Sequence, residues 1–155
     1  MRTLIKQWAE AGDPNAMIKL AELNLEEGNA AEAKKLLSQA TAKNYRPAAI
    51  KLARIFHKEG DLPQAIHFYE IATEQGDVEA MDTLVKICAD DEKILDFVLE
   101  NIDKHYNNIY STDSMERMMT FGSMRIEEYT PGYAAAVERR RIRNKILKLK
   151  AKGAR

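Results

Sequence analysis

The sequence predicts an all-α protein: a right-handed α-α superhelix (solenoid) of three to four helix pairs, followed by a long basic C-terminal helix. Three observations lead there. Residues suited to a left-handed backbone recur every sixteen positions, at Gly12, Gly28, Asn44, Gly60 and Gly76, and such residues end helices and open tight turns. Apolar and small residues repeat with a longer period of 32, which is one helix pair per repeat. Only seven glycines and four prolines occur among 155 residues, a low share of helix breakers.

The first element, residues 1–11, reads as half a repeat. Ile5 and Trp8 stand 32 residues before Leu37 and Ala40, in the slots of a back helix whose front helix is absent. Either this is a capping helix, which the ends of repeat arrays need, or the chain is a piece of a longer array. Two full repeats follow, 12–43 and 44–75. Ala16, Leu20, Ala21, Ala33, Leu37 and Ala40 in the first match Ala48, Leu52, Ala53, Ala65, Tyr69 and Ala72 in the second. Small residues recur where two helices must approach closely and large ones where a gap must be filled.

The third repeat, 76–106, opens with Ala80, Leu84 and Val85, then shortens by two residues at Asp90-Asp91-Glu92. That places Leu95, Leu99 and Ile102 in the back-helix slots. A degenerate fourth unit, 112–137, runs through Met118, Phe121 and Gly122 to Ala134 and continues into the basic tail 138–155. Pro14, Pro47, Pro63 and Pro131 each fall just inside a predicted helix start, where a missing N–H costs nothing.

The junction segments Ala9-Glu10-Ala11-Gly12-Asp13-Pro14-Asn15-Ala16 and Ala72-Thr73-Glu74-Gln75-Gly76-Asp77-Val78-Glu79-Ala80 resemble those of Sel-one-like repeats, cousins of the tetratricopeptide repeat. The spacing of Leu52-Ala53, Phe56, Gly60, Ala65, Tyr69 and Ala72 is similar to that of tetratricopeptide units, although 32 residues is shorter than their usual length. Glu127-Glu128-Tyr129-Thr130-Pro131-Gly132-Tyr133 resembles the longer inter-helix loop of Sel-one-like repeats. The resemblance covers about two thirds of the chain. It implies a protein-interaction scaffold or adaptor of bacterial type, serving assembly, secretion, signalling or host interaction.

By the geometry of such arrays, front helices line a concave wall. The inward-facing residues are then Asn15, Ile18, Lys19, Glu22 and Glu26, next Ile50, Lys51, Arg54, His57 and Lys58, and last Asp82, Thr83 and Lys86. The candidate partner-binding residues are Lys19, Glu22, Lys51, Arg54, Lys58 and Lys86, a cationic middle suited to an acidic or C-terminal peptide through charge-assisted hydrogen bonds. A solvated helix face is the other reading, because 31% of the residues are charged.

The formal net charge of zero hides an asymmetry. Residues 1–137 hold 15 basic and 23 acidic side chains, whereas residues 138–155 hold 9 basic and 1 acidic. In that tail Ile142, Ile146 and Leu149 fall on one helical stripe, among Arg139, Arg140, Arg141, Arg143, Lys145 and Lys148. Three readings stay open: a final helix packed on the last repeat, a regulator or inhibitor helix acting on a partner enzyme or an anionic membrane surface, or a nucleic-acid contact. The last is disfavoured because only Tyr133 lies near as a stacking aromatic. Self-association is a further possibility for an array with an incomplete repeat.

Other classes are excluded or unsupported. One cysteine, Cys88, forbids an internal disulfide, and its slot on a front helix predicts a buried, inert thiol. His57, His67 and His105 lack metal-ligand spacing, and the glycines are spaced as helix stops rather than as a phosphate loop. No catalytic residue, metal or cofactor is predicted, and Asp90-Asp91-Glu92 reads as a turn. Met115, Met118, Met119 and Met124 read as core filler. No apolar run approaches a membrane span, and the N-terminal residues build no signal-peptide core. The expected location is cytoplasmic, or periplasmic or secreted if a signal peptide has been removed.

Overall fold

Five turns, sixteen residues apart, set the architecture. In a computed structural model that describes residues 1–106 and 131–153, Gly12, Gly28, Asn44, Gly60 and Gly76 all take positive φ, between 58° and 93°. At each, the left-handed residue donates its N–H to the carbonyl three residues back. The next residue donates to the carbonyl five back, as in Gly60 to His57 at 3.2 Å and Asp61 to Phe56 at 3.0 Å. This pair of bonds closes the helix C-terminus. The residue after the left-handed one starts the next helix: Asp13 accepts from the N–H groups of Asn15 and Ala16, and Asp61 from that of Gln64. Two residues therefore end one helix and begin another. Asn44, the one member of the series that is not glycine, holds φ 58°.

The result among the described residues is eight α-helices and no strand. They are α1 Arg2–Glu10, α2 Pro14–Glu26, α3 Ala30–Ala42, α4 Arg46–Glu59, α5 Leu62–Glu74, α6 Val78–Ile87, α7 Glu92–Tyr106 and α8 Pro131–Gly153. All four prolines lie at the first or second residue of a helix. The chain divides into two compact units, Met1–Asp77 and Val78–Arg155. Residues 112–130 of the degenerate fourth repeat, with the four methionines Met115, Met118, Met119 and Met124, lie outside the described residues, and so does most of the Glu127–Tyr133 loop.

In the first unit each helix packs on the next, α1 on α2 through α4 on α5. Ala16, Leu20, Ala21, Ala33, Leu37, Ala40, Ala48, Leu52, Ala53, Ala65, Tyr69 and Ala72 are all buried, as the 32-residue pattern requires. Alanines at zero exposure let the helix axes approach closely. Leu37, Leu52 and Tyr69 fill the remaining space, and Phe56 stacks on Phe68 with ring centroids 5.6 Å apart.

A repeated ion pair crosses this unit. Arg2 at the start of α1 pairs with Glu27 just beyond α2, and Lys34, 32 residues later, pairs with Glu59 at the end of α4. The second partner also shifts by 32. Arg2 donates to Asn24 Oδ1 at 3.1 Å, and Lys34 lies 5.0 Å from the ring centroid of Phe56. The first turn of α1 and the second turn of α3 are thus tied to the C-terminal ends of α2 and α4 at the same 32-residue offset.

The buried slots differ from expectation at three places. On α1 Ala9 is buried, whereas Trp8 is 56% exposed. The counterparts of Ala9, Thr41 and Thr73, are buried too, and so are Ala40 and Ala72, the counterparts of Trp8; Trp8 differs because α1 packs in this unit only on α2. On α7 Leu95 and Ile102 are buried as expected, but the residue between them that is fully buried is Val98, with Leu99 only half-buried. Ile18 and Ile50, expected to line a groove, are core residues at 8% and 7% exposure. The cause is that α2 and α4 each have packed helices on both flanks, which widens the buried arc.

In the second unit α6, α7 and α8 pack pairwise around Ala80, Met81, Leu84, Val85, Leu95, Val98, Ile102, Ala136, Ile142 and Ile146. Asp90-Asp91-Glu92 is the expected turn, with Asp91 Oδ1 accepting from the N–H groups of Lys93 and Ile94. Cys88 is buried as a free thiol. The division at 77/78 places the basic helix in one unit with α6 and α7 rather than apart from them.

Candidate partner-binding site

The face expected to bind a partner is carried by α2 and α4 in the first unit. Lys19 and Lys51 occupy the same slot one repeat apart, and both reach Glu22: Lys51 Nζ donates to Oε1 at 2.8 Å and Lys19 Nζ to Oε2 at 3.3 Å. The Lys51 hydrogen bond, and then the Lys19 one, outweigh partial desolvation and hold the Glu22 carboxyl below its ordinary range. Two ammonium groups on one carboxylate leave this cluster net positive. Arg54 and Lys58 follow Lys51 at helical spacing on α4, and both are exposed. Glu26 is exposed on α2. Asn15 is hydrogen-bonded to the Tyr45 hydroxyl, and His57 Nδ1 lies 3.3 Å from the Tyr69 hydroxyl. Lys19, Glu22 and Lys51 are thus brought together, with Arg54 and Lys58 further along α4.

Lys86 belongs to the second unit and has a different setting. It pairs with Asp82 on its own helix, and Lys145 of α8 lies 3.6 Å from the same carboxylate. Burial pushes the Asp82 carboxyl up, but the Lys86 hydrogen bond and the Lys145 charge outweigh it, so the net direction is down.

The basic helix is held by its apolar stripe. Ile142 and Ile146 are buried and Leu149 half-buried against this unit. Three cations on its flanks meet acidic side chains of α6 and α7: Arg143 faces Asp103 at 3.9 Å, Lys145 faces Asp82, and Lys150 faces Asp96 and Glu92. The Asp96 hydrogen bond is the main reason the Lys150 ammonium titrates above its usual range. Of the three readings of the tail, the packed helix is the one seen in this unit. An open groove of about 630 Å³ runs along α8, lined by Val137, Arg140, Arg141, Asn144, Lys145, Lys148, Leu149 and Lys152. Arg141 lies 3.4 Å from Glu138, and Arg139 is half-buried.

Among the described residues no three His, Cys, Asp or Glu side chains converge as metal ligands, and no helix is long and apolar enough to cross a membrane. His67 is exposed on α5, its ring edge-on to Phe68. Sequence reasoning missed the Arg2–Glu27 and Lys34–Glu59 pairs. Their signal was present, because a cation and a carboxylate both recur at the 32-residue offset.

No protein-family model, no curated protein and no solved structure matches the chain.

Proposed function

We propose that the protein is a non-catalytic interaction module, a scaffold or adaptor of the helical-repeat kind, whose front helices α2 and α4 receive an acidic segment of a partner protein. The observation that carries this reading is the Lys19–Glu22–Lys51 cluster. Its two ammonium groups share one carboxylate at 3.3 and 2.8 Å, so they are already oriented and still carry a positive excess. A second carboxylate arriving beside Glu22 meets donors that need little reorganisation. Arg54 and Lys58 extend the same charge along α4. A superhelical arrangement of the repeats, as in Sel-one-like and tetratricopeptide arrays, supplies the concave wall on this reading, and a bacterial, cytoplasmic setting accompanies it.

The test uses fluorescein-labelled acidic peptides, read by anisotropy, against the full chain and a Lys19→Glu/Arg54→Glu/Lys58→Glu variant. Lys51 is left in place because it ties α4 to α2. Binding by the wild type, weakened at least tenfold in the variant at unchanged melting temperature, supports the reading. Equal binding by both proteins sinks it.

The alternative, regulation of an enzyme or a membrane surface through α8, is favoured by the exposed cations Arg141 and Lys148 along its groove. Charge reversal of Arg141 and Lys148, both exposed, abolishes partner binding on that reading and leaves it intact on the first.

A further inference from the structure

The groove along α8 extends from Val137 to Lys152, about 22 Å of helix. Among the described residues five cations line it and no carboxylate does. Two of the five have partners within the unit: Arg141 lies 3.4 Å from Glu138, and Lys145 lies 3.6 Å from Asp82. Lys148 and Lys152 are exposed, and neither has an ion pair among the described residues. These two lysines give the groove a positive excess.

Spacing narrows the ligand. Val137, Arg141, Lys145, Lys148 and Lys152 follow one another at steps of four, four, three and four. Steps of three and four trace the seam along which a second helix lies against the first. Val137, 43% exposed, and the half-buried Leu149 add apolar footing about 18 Å apart in that seam. The matching occupant is a helix with carboxylates at the same intervals and apolar residues between them.

Other anions fit less well. An amphipathic helix enters an anionic bilayer by an exposed apolar stripe, whereas the stripe of α8, Ile142 and Ile146, is buried against α6 and α7. A single-stranded nucleic acid finds no aromatic among the described lining residues on which to stack a base. A duplex, broader than one α-helix, also meets the carboxylates of Asp82, Asp96 and Asp103 beside α8.

We propose that this groove seats an acidic amphipathic helix of a partner protein, whose carboxylates meet Arg141, Lys145, Lys148 and Lys152. The proposal rests on the α8 reading and names its ligand; it is independent of the site on α2 and α4.

Two fluorescein-labelled peptides of identical composition test it, each about four helical turns long and held helical by a hydrocarbon staple. In one the glutamates repeat at steps of three and four, and in the other they are spread around the helix. By anisotropy the full chain should bind the first at least tenfold more tightly than the second. Arg141→Glu/Lys148→Glu/Lys152→Glu should weaken that binding at least tenfold at unchanged circular dichroism. The milder Arg141→Gln/Lys148→Gln/Lys152→Gln variant, which keeps the test open if charge reversal disturbs the fold, should weaken it in the same direction. Lys19→Glu/Arg54→Glu/Lys58→Glu should bind the peptide as the wild type does. Equal affinity for the two peptides, or binding that survives both α8 variants, overturns the proposal. So does binding lost on the α2–α4 variant instead, which supports the first site. Binding of phosphatidylserine vesicles through α8 without the peptide overturns it while leaving the α8 reading in place, and binding of duplex RNA in place of the peptide overturns both.

Discussion

Lys51 donates to the Glu22 carboxylate at 2.8 Å and so joins the second front helix to the first. Lys19, one repeat earlier in the same slot, holds the other oxygen at 3.3 Å. The period of the sequence thus reappears as two equivalent lysines converging on one acid.

That contact has a pH signature. The Glu22 carboxyl titrates below its ordinary 4.5 in the folded chain. Its contribution is therefore fully present above the unfolded value and is lost as pH falls through the folded one. Glu22→Gln should cost about 0.5 kcal/mol at neutral pH, a discounted figure because both side chains are about one-third exposed. The difference from wild type should fade as the pH drops below 4.5. Thermal melts of both proteins across acidic pH check this, and a constant difference counts against the ion pair.

Two threonines in one repeat slot should respond with opposite signs. The Thr41 hydroxyl donates to the Leu37 carbonyl at 2.8 Å, whereas the buried Thr73 hydroxyl has no hydrogen-bond partner among the described residues. Thr41→Val should cost about 1 kcal/mol, and Thr73→Val should stabilise by about 1 kcal/mol. Urea denaturation midpoints separate the two.

The left-handed turns should rank by what surrounds them. A Cβ at Gly60 meets nothing within 4 Å, so Gly60→Ala should cost only the backbone term, about 1–2 kcal/mol. At Gly12 the same atom would sit 2.7 Å from Lys43 Nζ, which donates to the Gly12 carbonyl at 2.9 Å. Gly12→Ala should therefore cost more, by about 0.5 kcal/mol for the displaced bond. Asn44→Gly relieves the φ of 58° and should be neutral or stabilising. Thermal denaturation of the three variants gives the order.

Packing rather than charge should hold the basic helix. Ile146→Ala removes a fully buried side chain and should cost about 2–4 kcal/mol. Asp82→Asn, which frees Lys86 and Lys145 at the surface, should cost less than about 1 kcal/mol. Amide exchange along α8 should accelerate strongly in the first variant and barely in the second.

Helix ends were the most legible feature of the chain. A positive-φ turn accepts few residue types, so Gly12, Gly28, Asn44, Gly60 and Gly76 declare themselves without tertiary information. Core slots in the central repeats were legible for a similar reason, since close helix approach admits little besides alanine. The misreadings arose where burial depends on which neighbours a helix has. Trp8 stands in a core slot yet is exposed because α1 packs within its unit on α2 alone, and Ile18 and Ile50 left the expected surface because α2 and α4 are flanked on both sides. For α8 the apolar stripe was readable. Its match to Asp82, Glu92, Asp96 and Asp103 was not, because no local rule joins residues so far apart in the chain.

The two-residue turns also bear on how the first unit reaches its structure. Because α1 meets α2, α2 meets α3, and so on through α5, no interface there must wait for a distant segment to arrive. Loop-closure entropy stays small, and one formed helix hairpin templates the next. Residues 1–77 should fold by zipping outward from a hairpin, with the short transit times of low-contact-order chains. In the second unit Ile142 and Ile146 find their cover on helices that lie much further back in the sequence.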